Sequence, residues 1–181
     1  MWDRIHQAYA FEISSSTRLI KQERRNLKQL NKQEIDALNQ QIQTVTGKAD
    51  YFHKKDNIKE GTHDGKTIIL RDRELLFFIY DGKPVPALKL LLKEPLLKTV
   101  TVDMGAVKFV AGGADVMRPG IKTADAHVKK DDLVAVVDET HKKPLAVCQA
   151  LFSSEEFLNM DKGKVLKNIH RVGDAIWTFE P

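Results

Sequence analysis

Residues 102–121, VDMGAVKFVAGGADVMRPGI, contain four of the ten glycines together with the basic residues Lys108 and Arg118. Glycine lets the backbone approach a ligand without obstruction by a Cβ atom, and N–H groups near a helix end can bind phosphate oxygens. Lys108 would contact phosphate as a point charge and Arg118 as a bidentate fork. The predicted RNA-binding residues are Lys108, Gly112, Gly113, Ala114, Met117, Arg118, Pro119 and Gly120 of this segment, with Lys122 directly after it. The alternative is that the glycines only permit tight turns.

A second basic set lies near the N-terminus, where Arg18, Lys21, Arg25, Lys28 and Lys32 are spaced by 3, 4, 3 and 4 residues. This spacing places all five on one side of an unbroken helix. A helix break near Asn31 would separate Lys32 from the other four. Such a stripe would neutralise phosphates of ribosomal RNA without reading its sequence. An ordinary solvated helix face is the alternative.

Residue types that perform catalysis or bind metals are not grouped in the sequence. None of the six histidines forms an H-x-x-x-H or H-x-H pair, which argues against a metal site. Cys148, the single cysteine, lies in an apolar run and is typical of a small buried hydrophobe rather than a nucleophile. The glycine motifs of nucleotide-binding enzymes and hydrolases do not occur. We therefore expect no catalytic residue, no metal and no cofactor, and the protein is predicted not to be an enzyme.

The elements that would position these residues fall into two parts, predicted as domains at residues 1–98 and 99–181. In the first, Ser14 to Ser16 are candidate N-caps for a helix that extends to about Leu30. Asn31 and Glu34 have the spacing of a capping box, which predicts a second helix that ends near Gly47. Strands are predicted at residues 67–70 and 74–80, the latter buried on both faces, and a short helix at 87–93.

The second part has the short strands and glycine-rich turns of a compact barrel. Strands are predicted at residues 100–102, 133–138, 146–152 and 175–179, and helices at 104–111 and 154–161. Trp177 is interpreted as barrel core in the last strand. The fold class is therefore α+β, with an N-terminal α/β domain followed by a C-terminal barrel.

Charge and composition describe a folded protein of a reducing compartment. The net charge is only +4, and the excess of positive charge lies in residues 1–98. One cysteine excludes an internal disulfide, and no apolar run reaches the 18 residues of a membrane span. These features predict a cytoplasmic protein without membrane insertion.

The segment 102–121 resembles the signature of the PUA domain, named for pseudouridine synthases and archaeosine transglycosylases, and NIHRVGDAIWTFE (residues 168–180) resembles its closing strands. ELLFFIYDGKPVPALKLLLKEPLL (residues 74–97), preceded by two helices, is similar to the malignant-T-cell-amplified-sequence family. That resemblance covers residues 12–181. It implies a pre-PUA domain that docks on the small ribosomal subunit and a PUA pseudo-barrel that faces structured RNA, tRNA or rRNA.

The resemblance further implies a function in initiation, re-initiation or recycling, with contact to the acceptor end of tRNA. Eukaryotic relatives carry Cys at the position of Arg118, so the sequence is similar to the archaeal type. No initiation-factor-like domain follows residue 181, so such an activity is expected from a separate protein. The alternative function is an RNA-targeting subunit of a tRNA or rRNA modification enzyme, since PUA domains accompany such catalysts. That alternative needs a catalytic constellation in residues 1–98, which the sequence does not offer.

Overall fold

The structure is a computed structural model that describes residues 27–180. Arg18, Lys21 and Arg25, three of the four residues predicted to contact RNA from the first helix, lie outside this range. The described chain forms two β-sheets with short helices packed against them. Among residues 27–180, no helix has the length and apolar character needed to cross a membrane.

The first sheet has five antiparallel strands in sequence order. They are β1 (Lys28–Gln29), β2 (Ile58–His63), β3 (Lys66–Arg71), β4 (Glu74–Tyr80) and β5 (Lys83–Pro86). The predicted strands at residues 67–70 and 74–80 are confirmed as β3 and β4. Consecutive side chains from Leu75 to Phe78 are buried, as predicted for a strand covered on both faces. The polar sequence of β2 gave no strand signal, so this strand was not predicted.

Helix α1 (Lys32–Thr46) packs on the first sheet and begins at the predicted capping box. The Asn31 side chain accepts hydrogen bonds from the N–H groups of Gln33 and Glu34, and the Glu34 carboxylate accepts from the N–H of Asn31. Gly47 ends the helix with a φ of 76°. A second helix, α2 (Leu88–Leu91), lies within the predicted range 87–93.

The prediction that the first helix extends to about Leu30 is wrong at its C-terminal end. Lys28 and Gln29 form β1, which pairs with Lys59 and Glu60 of β2. Because Asn31 caps α1 in an extended conformation, the chain before it leaves the helix axis and pairs with the sheet edge instead. Lys28 is therefore not on a helical stripe, and its ammonium group forms an ion pair with Glu34.

The second sheet has six strands. They are β6 (Lys98–Val102), β7 (Val116–Met117), β8 (Ile121–Ala124), β9 (Leu133–Asp138), β10 (Pro144–Ala150) and β11 (Lys164–Arg171). Their order in the sheet is β7-β11-β10-β9-β6-β8, with β6 parallel to β9 and the other pairs antiparallel. Helix α3 (Met104–Ala111) matches its predicted bounds, and α4 (Ser154–Leu158) lies within the predicted range. A 3₁₀ turn (Arg118–Gly120) joins β7 to β8. The two sheets with their helices confirm the α+β class.

Residues 172–180 leave the second sheet and pack against the first. The strand predicted at residues 175–179 is wrong, because these residues form turns rather than a ladder. Trp177, interpreted as barrel core, is half-buried and packs with the core of the first sheet, as Ile176 and Phe179 do. That core also contains Leu133, so side chains from beyond residue 98 complete it. The domain boundary near residue 98 stays a prediction.

Candidate nucleic-acid interface

Helix α3 is fixed at its N-terminus by two carboxylates. Asp103 is the N-cap and accepts a hydrogen bond from the N–H of Ala106 at 2.8 Å. Glu139, in the turn between β9 and β10, accepts one from the N–H of Met104 at 3.0 Å. These two N–H groups are therefore already satisfied, and negative charge surrounds them. A phosphate contact at the start of this helix is therefore not favoured by the geometry.

The C-terminal end of α3 is held by side chains of β11. The Asn168 amide donates to the carbonyl oxygens of Val110 and Ala114, each at 3.1 Å, and Arg171 donates to the carbonyl of Ala111 at 3.3 Å. The last carbonyls of the helix are thus satisfied from a strand that follows much later in the sequence. The contacts also fix the segment 112–115, which the predicted binding surface includes.

Gly113 is required by this close packing. Its φ of +98° is unfavourable for residues with a side chain, and a Cβ atom at this position would lie 2.7 Å from Nε of Arg171. Glycine at position 120 is favoured by packing against another element, because a Cβ there would lie 3.0 Å from Cβ of Ala106 on α3. The alternative explanation, that these glycines serve the local structure, is therefore correct in part, since both allow close packing. Gly112 and Gly113 are nonetheless exposed, so the glycine segment lies at the surface.

A groove of about 390 Å³ runs between α3 and the segment 114–120. Its walls are formed by Gly105, Ala106, Phe109, Val110, Ala114, Val116, Met117, Pro119 and Gly120, with Asp103 and Asp115 at its ends. Phe109 is 67% exposed, and Met104 and Met117 are each 50% exposed. Few other large apolar side chains among the described residues are as exposed as these three. Exposed apolar side chains grouped around a groove mark a binding surface.

Two exposed lysines lie on the elements that precede and follow this segment. Lys108 on α3 and Lys122 on β8 are exposed and form no ion pair within residues 27–180. Arg118, predicted as a phosphate ligand, instead donates to the carbonyls of Ile121 at 3.2 Å and Leu158 at 3.1 Å. Its half-buried guanidinium therefore stabilises the 3₁₀ turn. Sequence reasoning did not indicate these two main-chain partners.

Asp115 is the acidic group nearest to the glycine segment. Burial acts to raise the pKa of Asp115, but the hydrogen bond from the N–H of Asn168 and the ammonium group of Lys164 lower it below its usual value. The carboxylate is therefore ionised and compensated by Lys164 at 3.1 Å.

The predicted site residues are brought together only in the second sheet. Ala114, Met117, Pro119 and Gly120 line the groove, and Lys108 and Lys122 lie on the adjoining elements α3 and β8. Lys28 lies in β1 of the first sheet. Phe109, which lines the groove, was not among the predicted residues. Its signal was present, because an amphipathic helix of eight residues with one fully buried side chain leaves apolar positions outside.

The described residues offer no alternative chemistry at this groove. Cys148 is fully buried, and burial raises the pKa of its thiol far above the usual range, so the thiol is unreactive. Among residues 27–180, no cluster of three His, Cys, Asp or Glu side chains can hold a metal ion.

The chain is similar to known proteins over most of its length. A family model for the PUA domain matches residues 98–172. An uncharacterized protein of Methanocaldococcus jannaschii is 44% identical over 153 residues, which cover 83% of this chain and 94% of that protein. Malignant T-cell-amplified sequence 2 of Homo sapiens is 37% identical over 130 residues, which cover 68% and 72% of the two chains.

Two further proteins extend the comparison to yeast and to solved structures. Translation machinery-associated protein 20 of Saccharomyces cerevisiae is 36% identical over 115 residues, which cover 60% of this chain and 64% of that protein. A hypothetical protein of Pyrococcus horikoshii has a solved structure that superposes with a TM-score of 0.75 at 31% identity. The superposition covers 83% of this chain and 97% of the Pyrococcus horikoshii chain.

Proposed function

Because the chain belongs to the malignant T-cell-amplified sequence family and has the PUA fold, we propose that it is a translation-associated RNA-binding protein. The name of the yeast relative supports an association with the translation machinery. The observation that carries the proposal is the groove beside α3, which is lined by the exposed aromatic ring of Phe109. The exposed lysines Lys108 and Lys122 lie on the adjoining elements α3 and β8. The proposed role is binding alone, without catalysis, in the cytoplasm.

Each feature of the groove has a counterpart in RNA. The ring of Phe109 offers a face on which an unpaired base stacks, and Met117 extends this apolar surface. Lys108 and Lys122 contact phosphates as point charges. The exposed backbone at Gly112 and Gly113 lets a nucleotide chain approach closely. Unpaired nucleotides of a structured RNA, such as the acceptor end of a tRNA, have this combination of exposed bases and phosphates.

The finer assignments follow from the family. The small ribosomal subunit is the proposed site of action, and a separate initiation-factor-like protein is the proposed partner in initiation, re-initiation or recycling. The N-terminal basic residues Arg18, Lys21 and Arg25 are proposed to contact ribosomal RNA. Lys28 is proposed as a fourth contact, but it lies in β1 and its charge is compensated by Glu34.

Fluorescence anisotropy with a labelled tRNA tests the role of the groove. In the double variant Lys108→Ala/Lys122→Ala, the slope of log K against log salt should decrease by about 0.7 to 0.9 for each phosphate that is no longer neutralised. Phe109→Ala should weaken binding by about 1–3 kcal/mol, or roughly 5- to 150-fold, because one stacking platform is removed. All three side chains are exposed, so these variants should fold normally.

The matched controls lie on the first part of the chain. Lys55→Ala removes an exposed lysine and Leu92→Ala an exposed apolar side chain, and neither lies at the groove. Both should bind tRNA as the unmodified protein does. If the groove variants match these controls in affinity and in salt slope, the groove does not bind tRNA. Sedimentation with small ribosomal subunits at low salt tests the second assignment, and a protein that stays in the supernatant rejects it.

A further inference from the structure

A second cavity, of about 300 Å³, lies where residues 172–180 pack against the first sheet. Its lining includes the rings of Trp177 and Phe179 and the apolar side chains of Leu75, Ala87 and Ile176. The volume is at the lower end of the range of about 300–1,000 Å³ for small-ligand pockets. Half-buried aromatic rings at the edge of an apolar cavity offer stacking faces at little entropic cost. The cavity therefore fits one flat aromatic group.

The rim of this cavity is positively charged. Arg73 and Lys89 are exposed at the rim, and Arg73 takes part in no ion pair within the described chain. Lys89 Nζ lies 5.9 Å from the centroid of the Trp177 ring and donates to the carbonyl of Phe179 at 3.3 Å. The carboxylate of Glu74, also at the rim, is compensated by Lys93. Two positive charges next to an aromatic wall favour a ligand that carries negative charge.

The wall of the cavity is rigid. His170, whose side chain is fully buried, is hydrogen-bonded to Asp174 at 2.7 Å and accepts a hydrogen bond from the N–H of Leu88 at 3.0 Å. His63 contacts the carbonyl of Ala175 at 3.1 Å and packs edge-to-face with Phe179. These contacts fix the segment that contains Trp177 before any ligand arrives. A preorganised cavity loses little conformational entropy on binding.

We propose that this cavity binds one unpaired nucleotide. Its base stacks on Trp177 against the apolar wall, and its phosphate contacts Arg73 and Lys89. The nucleotide is either a free mononucleotide or an unpaired residue of an RNA chain, which share this chemistry. The site is separate from the groove beside α3, because the two linings have no residue in common. An aliphatic protein segment would leave Arg73 and Lys89 without an anionic partner.

Tryptophan fluorescence tests the proposal directly. In a Trp2→Phe protein, Trp177 is the single tryptophan, and a stacked base quenches its emission. Adenosine monophosphate, adenosine, inorganic phosphate and a single-stranded tetraadenylate are titrated in turn. Saturable quenching by the monophosphate is expected at a concentration about 5- to 10-fold lower than for adenosine, because a charge-assisted contact to an exposed phosphate contributes roughly 1 kcal/mol. Arg73→Ala and Lys89→Ala should each remove most of this difference.

The controls separate this site from the groove. Lys55→Ala, at an exposed lysine elsewhere on the first part of the chain, and Lys108→Ala, at the groove, should leave the quenching unchanged. Quenching by the monophosphate assigns the site to free nucleotides, and quenching by the tetraadenylate alone assigns it to RNA. The proposal is overturned if neither quenches, if adenosine and its monophosphate bind equally, or if N-acetyltryptophanamide competes as well as the nucleotide. The last result would identify an aromatic side chain of a protein as the occupant.

Discussion

Replacing His170 should destabilise the protein more than replacing any exposed histidine. The side chain is fully buried and joins two parts of the fold, because its Nε2 accepts from the N–H of Leu88 while its Nδ1 is hydrogen-bonded to Asp174. This arrangement requires neutral imidazole with the proton on Nδ1. Ala87, the N-cap of α2, makes no side-chain hydrogen bond to the helix, so His170 performs that role from β11.

The magnitude follows from the groups left without partners in His170→Phe, which conserves most of the volume. An unsatisfied buried N–H at Leu88 costs about 1–3 kcal/mol, and removal of the hydrogen bond to the Asp174 carboxylate costs about 1.5–3 kcal/mol. Asp174 keeps the N–H groups of Arg171 and Trp177, so the second contribution lies near its lower limit. A total of about 3–4 kcal/mol is expected, which lowers Tm by roughly 6–16 °C in a chain of this length.

Urea titration followed by circular dichroism measures the free energy of unfolding, and hydrogen exchange measures the protection of the Leu88 amide. Both should decrease in His170→Phe. The control His53→Phe, at an exposed histidine whose side chain makes no hydrogen bond in the described structure, should change stability by less than about 0.5 kcal/mol. The reasoning is refuted if His170→Phe loses less than about 1 kcal/mol, or if the Leu88 amide stays as protected as before.

Two further predictions concern turns. Gly113→Ala should cost at least about 1 kcal/mol more in unfolding free energy than Gly65→Ala, because both have positive φ but only Gly113 would place a Cβ 2.7 Å from Arg171. Equal losses in urea titrations would contradict this. The N–H groups of His141, Lys143 and Thr140 lower the pKa of Asp138 against the effect of burial. The contribution of ionised Asp138 to the free energy of unfolding is therefore complete above about pH 4, the pKa of this carboxyl in the unfolded chain. It is lost as the pH falls through the lower pKa of the folded state. Thermal melts at decreasing pH should show a weaker acid dependence in Asp138→Asn, and an unchanged dependence would exclude this carboxyl.

The sequence predicted the elements that are stabilised by interactions between residues close to one another in the chain. The capping box at Asn31 and Glu34, the Asp103 cap and the apolar run of β4 each depend on residues within a few positions of one another. The small helix of the segment 102–121 was predicted for the same reason, and the glycines next to it are exposed. Family resemblance then supplied the fold.

Features that depend on distant partners could not be predicted. β1 exists because residues 28 and 29 find the edge of β2 some 30 positions later, which helix propensity cannot indicate. The partners of Arg118 include a carbonyl 40 positions away, so a residue chosen as a phosphate ligand stabilises a turn. Trp177 has the alternating pattern of a strand, but tertiary packing against the first sheet decides its position.

The contacts of residues 169–179 with the first sheet affect how the chain folds during synthesis. All strands of that sheet have been translated by residue 86, yet the contacts from His63 to Ala175 and from Leu88 to His170 span 112 and 82 positions. Until the last of these residues has left the ribosomal exit tunnel, the apolar surface of Leu75 and Ala87 stays open to water. Long-range contacts of this kind slow folding and prolong the exposure of apolar surface. The nascent chain therefore passes through an interval in which chaperones have access to an incomplete core.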